Sequence, residues 1–277
     1  MARAKLKENA IASARARAPA PAPTRAAWLD ALRGLAIFWM VAYHFFFDLN
    51  YFGLLQPPHN FSRDALWTIQ RTLIVGLFLF SAGLGQALAV AAGQGWPRFW
   101  RRWAQVVGCA MLVSLSSAWF SPGSWISFGV LHGMAVMLPI ARVLGLWLQA
   151  GPGRAGQVKA WQPCLIILLA MLALSLPWLV QHPFFDSRAF NWVGLVTRKP
   201  FTLDFVPVLP WLGVVLAGLL AGLAGLALTR RRGARPGVSL PAMAAPLIWL
   251  GQRPLLVYMV HQPLLMGLIW LALRGLR

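Results

Sequence analysis

Seven apolar runs, each near the roughly 20 residues a helix needs to cross a bilayer, alternate along the chain with short polar and basic connections. They predict spans at 28–49, 66–91, 103–120, 125–148, 163–180, 209–228 and 247–273. The last contains Pro254, whose ring removes a helical N–H donor, so it divides into a short helix and a span if the proline breaks it, giving eight elements. The fold expected is all-α, a polytopic transmembrane helix bundle of about seven spans. Residues 1–27, a basic Ala/Pro/Arg tail, lack the bulky apolar side chains of a core and are expected to be disordered. Residues 28–277 are expected to form a single domain. Two segments break the pattern: 60–71, with Asp64, Gln70 and Arg71, and the aromatic, proline-rich 181–210. A loop that long is usually functional or disordered, and its bulky aromatics predict that it folds over one face of the bundle. The small-residue stretches SAGLG (81–85) and GLLAGLAG (218–225) predict close helix packing.

Composition agrees with the pattern. Of 277 residues 59% are hydrophobic and 11% charged, against about 25% charged in a soluble domain, so the chain is an integral membrane protein. The net charge of +19 would suggest nucleic acid in a soluble protein. Here the basic residues fall in clusters between spans: the tail, Arg98/Arg101/Arg102, Arg142/Arg154/Lys159, and Arg230/Arg231/Arg232/Arg235. The other side carries only Arg63, Arg188, Arg198 and Lys199. That alternation is a positive-inside signal, which places the N-terminus in the cytoplasm and argues against nucleic acid. Membrane lipids are the partners it implies, with homo-oligomerisation left open. Cys109 and Cys164 lie in apolar runs without ligand spacing, so neither a disulfide framework nor a metal site is expected.

The first span holds the chemistry. On a helix turning about 100° per residue, Asp30, Ile37, Val41, His44 and Asp48 project onto one narrow stripe. Ionisable groups at membrane depth cost about 2.5–3.5 kcal/mol each on insertion scales and are functional candidates by default. His44 and Asp48, at i and i+4, are spaced to touch, and a carboxylate accepting the imidazole N–H makes the ring a better base. His132 and Arg71, at similar depth, are expected to meet them in one cavity. His261 lies near mid-membrane, beside Gln262 and Pro263, where a side chain can serve the carbonyl that the proline leaves without a donor. His59 falls in the first loop, and Asp30 and Arg33 form a local pair. Walker A, GxGxxG, GxSxG and HExxH patterns are absent from the sequence.

Four blocks in order, LDALRGLAIFWMVAYHFFFDL, GLFLFSAGLGQAL, ISFGVLHGMAV and LIWLGQRPLLVYMVHQPLL, resemble bacterial relatives of the heparan-α-glucosaminide N-acetyltransferase catalytic domain. The resemblance runs roughly over 28–270. It implies transfer of an acetyl group from cytoplasmic acetyl-CoA to an acceptor beyond the membrane, often an amino sugar, and location in the bacterial inner membrane. Asp30, Arg33 and Gly34 match the family's entry motif. His44 falls where the animal enzyme has an asparagine in the acetyl-CoA path. His59 is the nearest counterpart of that enzyme's proposed catalytic histidine, His132 matches the bacterial pattern, and His261 matches the final block. Because this chain is shorter than the animal enzyme, a glycan or lipid-linked sugar is a better acceptor than heparan sulfate.

The resulting assignment makes His44, Asp48, His59 and His132 catalytic, and Asp30, Arg33, Arg71 and His261 cofactor-binding. Arg33, with Arg98 or Arg101, would engage the coenzyme phosphates. His44 supported by Asp48, or else His59, would be the base, and His132 or Arg71 would face the oxyanion. The competing classes are a transporter or flippase that uses the buried His and Asp as a proton relay, and a structural protein whose polar stripe joins helices. A basic vestibule joined to a histidine cluster would favour the enzyme.

Overall fold

The computed structural model describes residues 26–149, 161–231 and 240–275. Residues 1–25 of the tail, Arg154, Lys159, Arg232 and Arg235 lie outside the described residues.

The described residues form eight α-helices: α1 Ala27–Tyr51, α2 Ala65–Ala91, α3 Trp96–Phe120, α4 Val130–Gln149, α5 Trp161–Leu179, α6 Val208–Arg231, α7 Ala245–Gln252 and α8 Pro254–Gly275. Seven of them are long and apolar enough to cross a membrane, which makes this a multi-pass membrane protein, and α7 is the short exception. The last apolar run does divide. Arg253 leaves helical geometry and Pro254 opens α8 at a position where a missing N–H costs nothing.

Two boundaries move from their expected places. The third helix starts at Trp96 rather than at 103, because Pro97 sits in its first turn and carries the helix through the Arg98/Arg101/Arg102 cluster. Trp103, expected near a membrane boundary, instead lies inside the helix and donates to the Ala135 carbonyl at 2.7 Å. The fourth helix starts at Val130 rather than at 125. The segment before it is held by the long loop: Leu203 N–H donates to the Ser124 carbonyl and Val206 N–H to the Phe128 carbonyl, with an isolated parallel bridge between Phe128 and Phe205. The 181–210 loop thus packs onto the α3–α4 connection, as its aromatics predicted.

Inside a bilayer, burying a leucine between helices gains little transfer energy, since lipid tails are equally apolar, so close backbone approach counts for more. The two small-residue stretches meet each other. A Cβ at Gly83 of α2 would collide with the Val215 carbonyl of α6, and one at Gly218 with the Phe80 carbonyl. Along the seam Gly76 faces Trp211, Gly83 faces Val215 and Ala87 faces Gly222, so α2 and α6 run parallel. A second backbone contact seats α7 on α1, where a Cβ at Gly34 would strike the Leu247 carbonyl and one at Gly251 the Asp30 carbonyl. Around these seams lie fully buried Leu79, Met137, Val215 and Leu219. A third cluster, Met40, Tyr43, Phe61, Trp67 and Ile74, ties the first loop to α1 and α2.

Candidate active site

One end of the bundle, which collects Ala27, Ala91, Trp96 and Pro254, opens into a cavity of about 390 Å³. Arg33 of α1, Arg102 of α3 and Arg253 at the α7–α8 junction line it, with Gln86, Gln94 and Gln252. The cavity continues towards the opposite end, which we call the far end, to Val130, Leu131 and Tyr258. Arg33 is the arginine foreseen there. Arg98 and Arg101, also named from the sequence, are not among the lining residues, whereas Arg102 and Arg253 are. The guanidinium of Arg33 lies 3.6 Å from the Asp30 carboxylate and against Gly85 of the SAGLG stretch. Arg253 also stacks on Trp249, 4.7 Å from its ring centre. Three guanidiniums with amide side chains between them suit a polyanion such as a nucleotide phosphate.

Arg142, counted in the sequence as a topology determinant, is 1% exposed. It donates to the Gln94 carbonyl and lies over the rings of Trp96 and Phe99. Its position inside α4 puts it in the packing against the α2–α3 turn rather than in a connection.

Further along α8, buried His261 meets half-buried His44. The His44 and His261 rings lie 5.0 Å apart, tilted by 57°. His261 Nδ1 is 2.7 Å from the Tyr258 carbonyl. A carbonyl can only accept, so Nδ1 carries the proton and Nε2 keeps its lone pair. That Nε2 and His44 Nδ1 are both buried without a hydrogen-bond partner. The carbonyl that Pro263 deprives of its donor is that of Met259, one residue beyond the one His261 serves. Asp48, fully buried, accepts from Gln262 Nε2 at 2.7 Å. The His44–Asp48 pair expected on one helix is therefore replaced by two pairs across α1 and α8. The single-helix projection placed both residues on the right face, but it could not supply the neighbouring helix.

The expected meeting of His44, Asp48, Arg71 and His132 does not form as one cluster. With α4 beginning at Val130, His132 lies in its first turn. Its Nδ1 accepts from Gly129 N–H at 3.2 Å, so its Nε2 carries the hydrogen and faces Ser114 Oγ at 3.1 Å. Ser114 in turn donates to the Ile126 carbonyl at 2.6 Å. Every polar atom of that ring is used, and the chain of bonds fastens the α3–α4 connection. His59 is fixed through its backbone, which exchanges two hydrogen bonds with the Asn50 side chain (2.8 and 3.0 Å). Its ring lies 3.8 Å from Asp64 and edge-on to Trp67.

Arg71, at the far end of α2, acts electrostatically on a residue that the sequence did not single out. Asp204 Oδ2 accepts from Val130 N–H at 2.8 Å and so caps α4. Burial raises its pKa, opposed by that hydrogen bond and by the charges of Arg71 and Lys199. Lys199 is lowered by burial and by Arg71. Asp204 was missed because a loop carboxylate has no periodicity to place it, although acidic residues number only six in the chain. Tyr258 and Gln262 stood beside His261 in the quoted final block without being assigned a site role.

Among the described residues no cluster of three or more His, Cys, Asp or Glu side chains suits a metal. Comparison with known proteins gives one match: the family model for "Heparan-alpha-glucosaminide N-acetyltransferase, catalytic" covers residues 25–263. No curated protein and no solved structure matches the chain significantly.

Proposed function

The chain belongs to the heparan-alpha-glucosaminide N-acetyltransferase catalytic family, and we propose that it transfers an acetyl group from acetyl-CoA to an amine or hydroxyl of a glycan or lipid-linked sugar across a bacterial inner membrane. Residues 28–277 act as one transmembrane acyltransferase domain, with the tail and the arginine-lined end in the cytoplasm. Arg33, Arg102 and Arg253 hold the phosphates of the donor. From Arg253 to His261 the helix rises about 12 Å, so an extended pantetheine arm brings the thioester from the arginines to the histidines.

The observation that carries the reading is the His44–His261 contact, with the Nε2 of His261 left without a partner one helical turn beyond cavity-lining Tyr258. His261 Nε2 takes the proton of the attacking amine or hydroxyl as it bonds to the acetyl carbon. His44, in ring contact, is the next station for that proton. Asp48 and Gln262 fix α1 against α8 so that the two rings stay in register. Arg71, Lys199 and Asp204 border the acceptor side. His132 and His59 hold their loops.

The test incubates purified protein with radiolabelled acetyl-CoA and an amino-sugar acceptor. Wild type should bind CoA and transfer or hydrolyse the acetyl group, and His261→Ala should lose about 10²–10⁴-fold in kcat while still binding CoA. If folded wild type neither binds CoA nor consumes acetyl-CoA, the reading fails.

A further inference from the structure

The mechanism above has a base but no donor for the charge that develops on the carbonyl oxygen of the thioester. His261 Nδ1–H is committed to the Tyr258 carbonyl, and His132 spends its ring nitrogens on Gly129 N–H and on Ser114 of α3. The arginines of the cavity lie at its other end, where the phosphates are held. A hydroxyl remains. Tyr258 lines the cavity and packs against the apolar cluster that holds Val130 and Leu131. A tyrosine hydroxyl in the interior usually finds a hydrogen-bond partner, yet none of the described residues bonds this one, and it is not among the sealed polar atoms of the packing. Its ring centre lies 5.9 Å from that of His261, and the His261–Tyr258 carbonyl bond locks the two residues on one turn of α8.

We propose that Tyr258 is a further catalytic residue, whose hydroxyl donates a hydrogen bond to the thioester carbonyl oxygen as it becomes an oxyanion. This rests on the acetyl-transfer reading. In that step the acceptor's nitrogen or oxygen forms a bond to the acetyl carbon, the carbonyl π pair moves onto oxygen, and His261 Nε2 takes the acceptor's proton. Collapse re-forms the carbonyl, breaks the carbon–sulfur bond and releases CoA as its thiolate. Tyr258 keeps its proton throughout.

A preorganised donor of this kind is worth about 10²–10³-fold in kcat. The experiment compares wild type with Tyr258→Phe, which keeps the ring and its packing, and with 3-fluorotyrosine placed at 258, which keeps the hydroxyl. CoA binding is measured beside acetyl transfer. Expected are unchanged CoA binding and donor KM in all three proteins, a loss of about 10²–10³-fold in kcat for Phe, and kcat near wild type for fluorotyrosine. A Phe variant within twofold of wild-type kcat overturns the proposal, and so does one whose loss lies wholly in CoA binding or KM while fluorotyrosine shares it. Wild type that binds no CoA and transfers nothing overturns the underlying reading first, so the two failures are told apart.

Discussion

At His261 a single hydrogen bond decides which ring nitrogen can react. Because Nδ1 is tied to the Tyr258 carbonyl, replacing His261 by glutamine, which can accept but cannot carry a proton at neutral pH, should leave CoA binding intact. It should cost kcat nearly as much as alanine, about 10²–10⁴-fold. Steady-state transfer assays check this, and a glutamine variant with wild-type kcat would remove His261 from the base role. A different test belongs to Asp204, whose pKa is raised by burial. A carboxyl held above its ordinary value favours the protonated form in the fold. Its contribution to stability is complete below the unfolded value, 3.8, and is lost as pH rises through the raised one. Asp204→Asn keeps an oxygen for Val130 N–H and cannot ionise. The melting temperature of this variant in detergent should therefore gain on wild type as pH climbs from about 3 to about 7. A difference that stays flat or shrinks would contradict the assignment.

Helix contacts explain which parts of the chain could be read in advance. In a membrane, alanine in place of a glycine at a backbone seam is overpacking, which costs about 1–3 kcal/mol. Gly83→Ala should lower the melting temperature in detergent clearly, because its Cβ meets the Val215 carbonyl. Gly225→Ala, in the same stretch as Gly218 but with open space around its Cβ, should be neutral or gain up to about 1 kcal/mol from helix propensity. Equal effects at both positions would show that the seam does not hold α2 to α6. The spans were legible because run length alone answers whether a helix can cross. The α2–α6 seam was legible because glycine clusters have few other uses in a span, whereas the single glycines Gly34 and Gly251 that seat α7 on α1 gave no such cluster. Partners across helices were not, since Asp48 with Gln262 and His44 with His261 join residues more than 200 positions apart that no local spacing relates. The start of α4 was misplaced for a similar reason: what unwinds 125–129 is its pairing with 203–206, a tertiary constraint acting on an apolar stretch.

For the molecule as a whole, the proposed direction of transfer depends on which side the arginine end faces. The basic clusters that fix it by the positive-inside rule include Arg98, Arg101 and Arg102 on α3, and Arg102 also lines the cavity. Under the proposed function, topology and donor entry would both be set by neighbouring charges, so reversing one would strand the other. Single cysteines, introduced after Cys109 and Cys164 are changed to serine, report the side directly. A cysteine at Gly93, in the α2–α3 turn, should resist a membrane-impermeant maleimide in intact spheroplasts and react in everted vesicles. One at exposed Phe201 of the long loop should do the opposite. Donor supply should follow the same geometry, with acetyl-CoA added outside everted vesicles consumed and acetyl-CoA added outside sealed spheroplasts untouched. Arg253→Ala should raise the donor KM and, because Arg253 precedes His261 by about 12 Å of helix rise, leave acceptor KM unchanged. If Gly93→Cys labels in spheroplasts instead, the arginine end faces outward and cytoplasmic acetyl-CoA cannot be the donor.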